Sequence, residues 1–292
     1  MIFMLLLIWS ATGFAETAES RGEYLVRAAS CRECHTSRPD QDFAGGLKIA
    51  TDFGDFFTSN ITFEEMTGIG KWTVADFRKA LREGVAPDGH IYYPSFPYRS
   101  FTKMKDADID AIYVYLRNQK PIFRINRPHQ LKWPFDYRWL MNFWQDLFFQ
   151  EPTANFEMDA RVAMGPYLFV DDKSSKWNRG AYLVEAVLHC AECHTPRGLL
   201  GQPIADQWMA GSDLNFEGLK PPNITPDSGT GITWTQLQWE SFLASGVDPG
   251  GKSPGAEMAL VVRSTSGLTK EDRAAVVEYL RSLPAVHREN AP

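Results

Sequence analysis

The sequence predicts an all-α protein in which one helical unit is used twice, with an aromatic-rich connector between the copies. Three observations predict it. The segment Cys31-Arg32-Glu33-Cys34-His35 returns as Cys190-Ala191-Glu192-Cys193-His194. The residues around each copy repeat in the same order, and a repeat governs how the rest of a 292-residue chain is read. The apolar positions keep helical spacing, with capping residues ahead of them and proline behind. The chain divides into a leader at 1–15, a first unit at 16–120, a connector at 121–178 and a second unit at 179–292.

The leader, MIFMLLLIWSATGFA, has an apolar run from Met1 to Trp9, with Gly13 and Ala15 small at the positions expected before cleavage. It reads as a secretory signal that leaves Glu16 as the new N-terminus, although the usual basic segment ahead of the apolar run is absent. The run is too short to span a bilayer, and no other stretch is long enough. The expectation is export to the periplasm, with at most peripheral contact with the inner membrane.

Each unit opens with the same helix, Arg21-Gly22-Glu23-Tyr24-Leu25-Val26 in the first and Arg179-Gly180-Ala181-Tyr182-Leu183-Val184 in the second. Gly22 and Gly180 sit where a first helix would cross a last helix closely. The paired cysteines follow, then Asn60-Ile61-Thr62 and its match Asn223-Ile224-Thr225. Thr67-Gly68-Ile69-Gly70-Lys71-Trp72-Thr73 is matched by Thr230-Gly231-Ile232-Thr233-Trp234-Thr235. Thr73 with Asp76, and Thr235 with Gln238, are capping boxes for a middle helix. Gly84-Val85 and Gly246-Val247 each begin 12 positions after the tryptophan. The last helices carry the stripes Ile109, Ile112, Tyr113, Leu116 and Val276, Val277, Leu280, Leu283, the second capped by Thr269 with Asp272. Both end in Tyr-Leu-Arg, and Pro121 and Pro284 stop them. The connector holds Trp133, Phe135, Tyr137, Trp139, Phe143, Trp144, Phe148 and Phe149, too many aromatics for a free linker. It is expected to pack across both units, the alternative being an exposed face for a partner or a membrane.

C-x-x-C-H is the attachment sequence of c-type haem. Two thiols at this spacing reach the two vinyl groups of one porphyrin, and the next residue turns an imidazole to the iron. All four cysteines of the chain are Cys31, Cys34, Cys190 and Cys193, so none remains for a disulfide or a catalytic thiol. The 156 positions from Cys34 to Cys190 are unlike compact zinc spacings. With a formal charge of −6 and no basic run, nothing in the sequence points to nucleic-acid binding.

His35 and His194 then take one axial position on each iron, and the ligand opposite sets the chemistry. Methionine or histidine there closes the site for electron transfer, whereas an open position favours substrate chemistry. Met104 and Met258 both precede the last helix of their unit and are the sixth-ligand candidates. Met66, Met141, Met158, Met164 and Met209 show no counterpart in the other unit. His90, His129, His189 and His287 read as surface or loop histidines. Asn60, Trp72, Asn223 and Trp234 are candidates to donate hydrogen bonds to haem propionates.

These motifs, with Pro94-Ser95-Phe96-Pro97-Tyr98 and the closing Tyr-Leu-Arg, resemble the cytochrome c subunits of bacterial periplasmic dehydrogenases. Members serve alcohol, gluconate and sorbitol dehydrogenases and some molybdenum hydroxylases. Many carry three haem units and a C-terminal membrane-binding helix; two units are present here. The resemblance implies class I cytochrome c folds, two covalently attached haem c groups, and Met104 and Met258 as sixth ligands. It also implies a separate catalytic subunit, dependent on flavin, quinone or molybdenum, and a downstream acceptor such as a quinone or an oxidase. The competing readings are a dihaem peroxidase, for which no histidine is well placed, and a soluble shuttle with no fixed partner.

Overall fold

The computed structural model describes residues 16–149, 165–214 and 220–289. The leader, Met158 and Met164 lie outside the described residues. Helix dominates. In the first half α1 (Ala18–Ala28) leads into α2 (Cys31–His35), then a hairpin of β1 (Lys48–Thr51) and β2 (Gly54–Phe57), then α3 (Val74–Glu83), α4 (Tyr98–Phe101) and α5 (Asp106–Arg117). The connector adds β3 (Gln130–Leu131) and α6 (Leu140–Phe148). The second half runs α7 (Ser175–Tyr182), a π-helical turn at Leu183–Val187, α8 (Ala191–His194), α9 (Gln236–Ser245), α10 (Ala256–Thr265) and α11 (Lys270–Arg281).

The glycines do what their position suggested. A Cβ on Gly22 would stand 2.0 Å from the Ala111 carbonyl oxygen, and one on Gly180 2.0 Å from that of Ala275. Only glycine lets α1 cross α5, and α7 cross α11, at that range. An ion pair locks each crossing: Arg21 Nε donates to Asp108 at 3.0 Å, and Arg179 Nε to Asp272 at 2.8 Å. Both capping boxes form. Thr269 caps α11 by accepting from the Asp272 N–H, but the Asp272 carboxylate faces Arg179 and Tyr24 and does not close the box.

The halves differ in one telling place. Four residues separate Val26 from Cys31, whereas five separate Val184 from Cys190. The Ala29 N–H donates to Leu25 O, four back, and the Leu188 N–H donates to Leu183 O, five back. The π-turn takes up the extra residue. The residue before the first cysteine is left-handed in both, Ser30 at φ 54 and His189 at φ 45.

The two halves share one hydrophobic core. Across their seam Tyr24 Oη donates to Asp272 and Tyr182 Oη to Asp108, so each motif tyrosine bonds the aspartate of the opposite ion pair. A buried pair, Lys103 Nζ and Glu185 Oε2 at 3.4 Å, lies in the same seam.

The connector has two characters. Met141 and Trp144 pack with Phe56, Tyr93 and Tyr98 of the first half, and Trp144 Nε1 donates to Leu200 O of the second at 2.8 Å. The opposite face leaves Trp139, Phe143 and Leu147 exposed, at 58%, 59% and 65%. One helix therefore packs on one face and leaves apolar side chains exposed on the other, because aromatics line two of its sides. The small antiparallel sheet β1-β2-β3 was not anticipated; it ties the connector to the first half through Gly54–Leu131 and Asp55–Gln130. No helix among the described residues is long and apolar enough to cross a membrane.

Candidate haem sites

Each C-x-x-C-H forms a short helix, α2 and α8, whose i, i+3 spacing brings its two cysteines to neighbouring positions on the helix surface. The next threonine fastens the chain that follows. Thr36 Oγ1 accepts from the Phe43 N–H and Thr195 Oγ1 from the Met209 N–H, both at 3.0 Å. Phe43 (φ 62) and Met209 (φ 59) share the same left-handed backbone. Met209 thus has a counterpart after all, and it is a phenylalanine: the position is one of packing.

The histidines are held alike. His35 Nδ1 donates to Ser59 O at 2.7 Å, and His194 Nδ1 to Pro222 O at 2.8 Å. These bonds fix the tautomer and leave Nε2 with its lone pair, the arrangement a metal-binding imidazole needs. Burial lowers both histidine pKa values, the carbonyl bonds opposing, and so keeps the rings neutral. The accepting carbonyls belong to Ser59 and Pro222, and a backbone oxygen leaves no trace in sequence.

All four thiols are free and half-buried. Burial pushes Cys31 and Cys190 to about 12 and Cys34 and Cys193 to about 11, and the Cys193 thiol also senses Cys34 across the seam. Among the described residues no group of three or more histidine, cysteine or acidic side chains could hold a metal ion. Paired thiols beside a neutral, tautomer-fixed imidazole, given twice, fit haem c.

The asparagines depart from expectation. Asn60 Nδ2 donates to Thr67 Oγ1 and Ile122 O, and its Oδ1 accepts from the Thr62 N–H and hydroxyl. Asn223 makes the same four bonds with Thr230, Val286 and Thr225. Both amide hydrogens are taken, so neither asparagine is left to donate to a propionate; each ties the loop beneath its histidine to the segment that follows its last helix. Trp72 and Trp234 are half-buried, and neither indole N–H meets a protein acceptor among the described residues.

The methionines also part company. Met258 is half-buried on α10, whereas Met104 is 0% exposed in the turn before α5. Met104 packs within the main hydrophobic core, whereas Met258 keeps accessible surface beside it. The histidines outside the motifs have structural partners: His90 beside Asp88, His129 accepting from the Phe57 N–H, His189 against Ala29 O and the Phe101 ring, and His287 beside Asp227. Sequence reading missed the buried Lys103–Glu185 pair, to which Trp208 and Tyr279 also donate.

Two thiol-pair helices, each with its imidazole fixed by a carbonyl, within a helical fold, define a c-type cytochrome. The Cytochrome c family profile matches residues 178–284. The diheme cytochrome c-type protein of Cereibacter sphaeroides is 39% identical over 91% of this chain and 86% of its own length. The fructose dehydrogenase cytochrome subunit of Gluconobacter japonicus is 36% identical over 91% of this chain and 52% of its own. The gluconate 2-dehydrogenase cytochrome c subunit of Pantoea cypripedii is 33% identical over 97% of this chain and 65% of its own. The chain thus spans about half to two thirds of those two dehydrogenase subunits. It belongs to the cytochrome c family, binds two haem c groups covalently, and transfers electrons. The haem supplies the one-electron chemistry; the chain holds it and sets its surroundings.

Proposed function

We propose that this chain is the electron-transfer subunit of a periplasmic dehydrogenase complex. It takes electrons from a separate catalytic subunit, dependent on flavin, quinone or molybdenum, and passes them through two haems to a respiratory acceptor. Units 16–120 and 179–292 are tandem class I cytochrome c domains joined by 121–178. Cys31 and Cys34 carry one haem and Cys190 and Cys193 the other. His35 and His194 ligate the irons, Met258 is the sixth ligand of the second, and Trp72 and Trp234 are left to face the propionates. The leader at 1–15 directs export, and contact with the inner membrane is peripheral.

The observation that carries this reading is the repeated constellation, in which Nδ1 of both histidines is engaged by a carbonyl at 2.7 and 2.8 Å. The dehydrogenase subunits among its relatives support the choice of partner. Pyridine haemochrome assay of the exported protein should return two haems per chain. Purified in mild detergent, the protein should retain a dehydrogenase whose substrate reduces both haems. Fewer than two haems, or haems that no co-isolated dehydrogenase reduces, would remove the proposal.

A further inference from the structure

The register of the repeat can be counted from both ends, and it separates the two methionines. Helices α3 and α9 each end on a left-handed glycine, Gly84 (φ 67) and Gly246 (φ 75). The next turn is the same in both halves. Ala86 N–H donates to His90 O and Gly89 N–H to Ala86 O, while Asp248 N–H donates to Lys252 O and Gly251 N–H to Asp248 O, all at 2.9 Å. Counting onward, the residue 12 positions past the glycine is Met258 in the second half and Phe96 in the first.

Counting back from α5 and α11 gives the other pairing. Met104 and Leu268 each lie two residues before their helix, and each N–H donates three residues back, to Phe101 O at 2.9 Å and Thr265 O at 3.1 Å. Both side chains are buried, at 0% and 4%. Met104 therefore stands where the second half has a leucine. Cys31, Cys34, His35, Cys190, Cys193 and Met258 all keep accessible surface, as does Phe96, whose ring lies 5.5 Å from Tyr92 and 5.8 Å from Phe101.

We infer that the haem attached through Cys31 and Cys34 has no methionine sixth ligand, because the side chain in Met258's place is Phe96, which has no donor atom for iron. Its sixth position binds a small strong-field molecule, of the carbon monoxide, nitric oxide or cyanide class, and the haem beneath Met258 does not. Other donors nearby are directed elsewhere: Lys103 to Glu185, and His90 to Asp88.

The inference rests on the dihaem reading, so haem is counted first by pyridine haemochrome; a count below two would strike that reading itself. Dithionite-reduced holoprotein is then titrated with carbon monoxide, following the Soret band. Wild type should take up one carbon monoxide per two haems. Phe96→Met should abolish that uptake and add a second methionine–iron charge-transfer band in the oxidised near-infrared spectrum. Met104→Leu should leave uptake at one, and Met258→Ala should raise it to two. Uptake of none or two by wild type, or a rise with Met104→Leu, would overturn the inference.

Discussion

Replacing Gly22 with alanine tests the helix crossing on which the first haem unit is built. The added Cβ would meet the Ala111 carbonyl oxygen at 2.0 Å and Tyr115 Cβ at 2.7 Å, and the nearer obstacle is backbone, which no rotamer change can move. Relief requires α1 and α5 to part by about 1 Å, a gap that forfeits a quarter to a half of each dispersion contact along the crossing. It also stretches the Arg21–Asp108 bonds, now 3.0 and 3.2 Å. Overpacking of this kind costs about 1–3 kcal/mol and occasionally more. Alanine returns about 1 kcal/mol of helix propensity. Because the nearest clash is with backbone, and Tyr115 Cβ shifts only as its own backbone does, the upper part of the range applies, and the net loss should be about 2 kcal/mol. That corresponds to a fall of roughly 3–4 °C in melting temperature for a chain of this size. Thermal and urea unfolding of the holoprotein, followed by circular dichroism, would measure it, with Gly180→Ala giving a similar loss through Ala275 O. A Gly22→Ala protein as stable as wild type, or stabilised by the propensity gain, would refute the reasoning.

Other outcomes follow from the same contacts. Asn60→Ala and Asn223→Ala each strip four hydrogen bonds from a buried amide and should cost about 3 kcal/mol in urea unfolding. Lys103→Met leaves the buried Glu185 without its cation and should cost about 3–5 kcal/mol; adding Glu185→Gln, which still accepts from Tyr279 and Trp208, should recover most of that loss. Burial pushes the Asp272 carboxyl up, but the Arg179 ion pair and the Tyr24 hydroxyl outweigh it and hold it below the ordinary 3.8. A depressed carboxyl contributes fully above its unfolded value and loses that contribution as pH falls through the folded one. Unfolding free energy should therefore decline below about pH 4, and Asp272→Asn should flatten the decline.

Elements marked by side-chain identity were legible before any coordinates. The two C-x-x-C-H helices, the boxes at Thr73 and Thr235, and the crossings at Gly22 and Gly180 each depend on residue types with few other uses. Thr269 was read half correctly: it caps, but the long-range partners of Asp272 compete for the carboxylate that would close the box, and a local pattern does not register such partners. The hairpin at 48–57 escaped notice because Lys48-Ile49-Ala50-Thr51 is too short to show an alternation. Ser59 and Pro222 act through backbone oxygens. Met104 and Met258 both lie ahead of a last helix, but proximity to one landmark is not register. Counting from Gly84 and Gly246 would have exposed the mismatch, since the second half carries two more residues between that glycine and its last helix.

The π-turn at Leu183–Val187 keeps the second C-x-x-C-H helix in register with the first. One added residue in a regular helix would swing everything after it by about 100° and advance it by about 1.5 Å. Widening one turn absorbs that swing before it reaches Cys190. A length change inside one copy has thereby been kept from turning the short helix that carries Cys193 and His194.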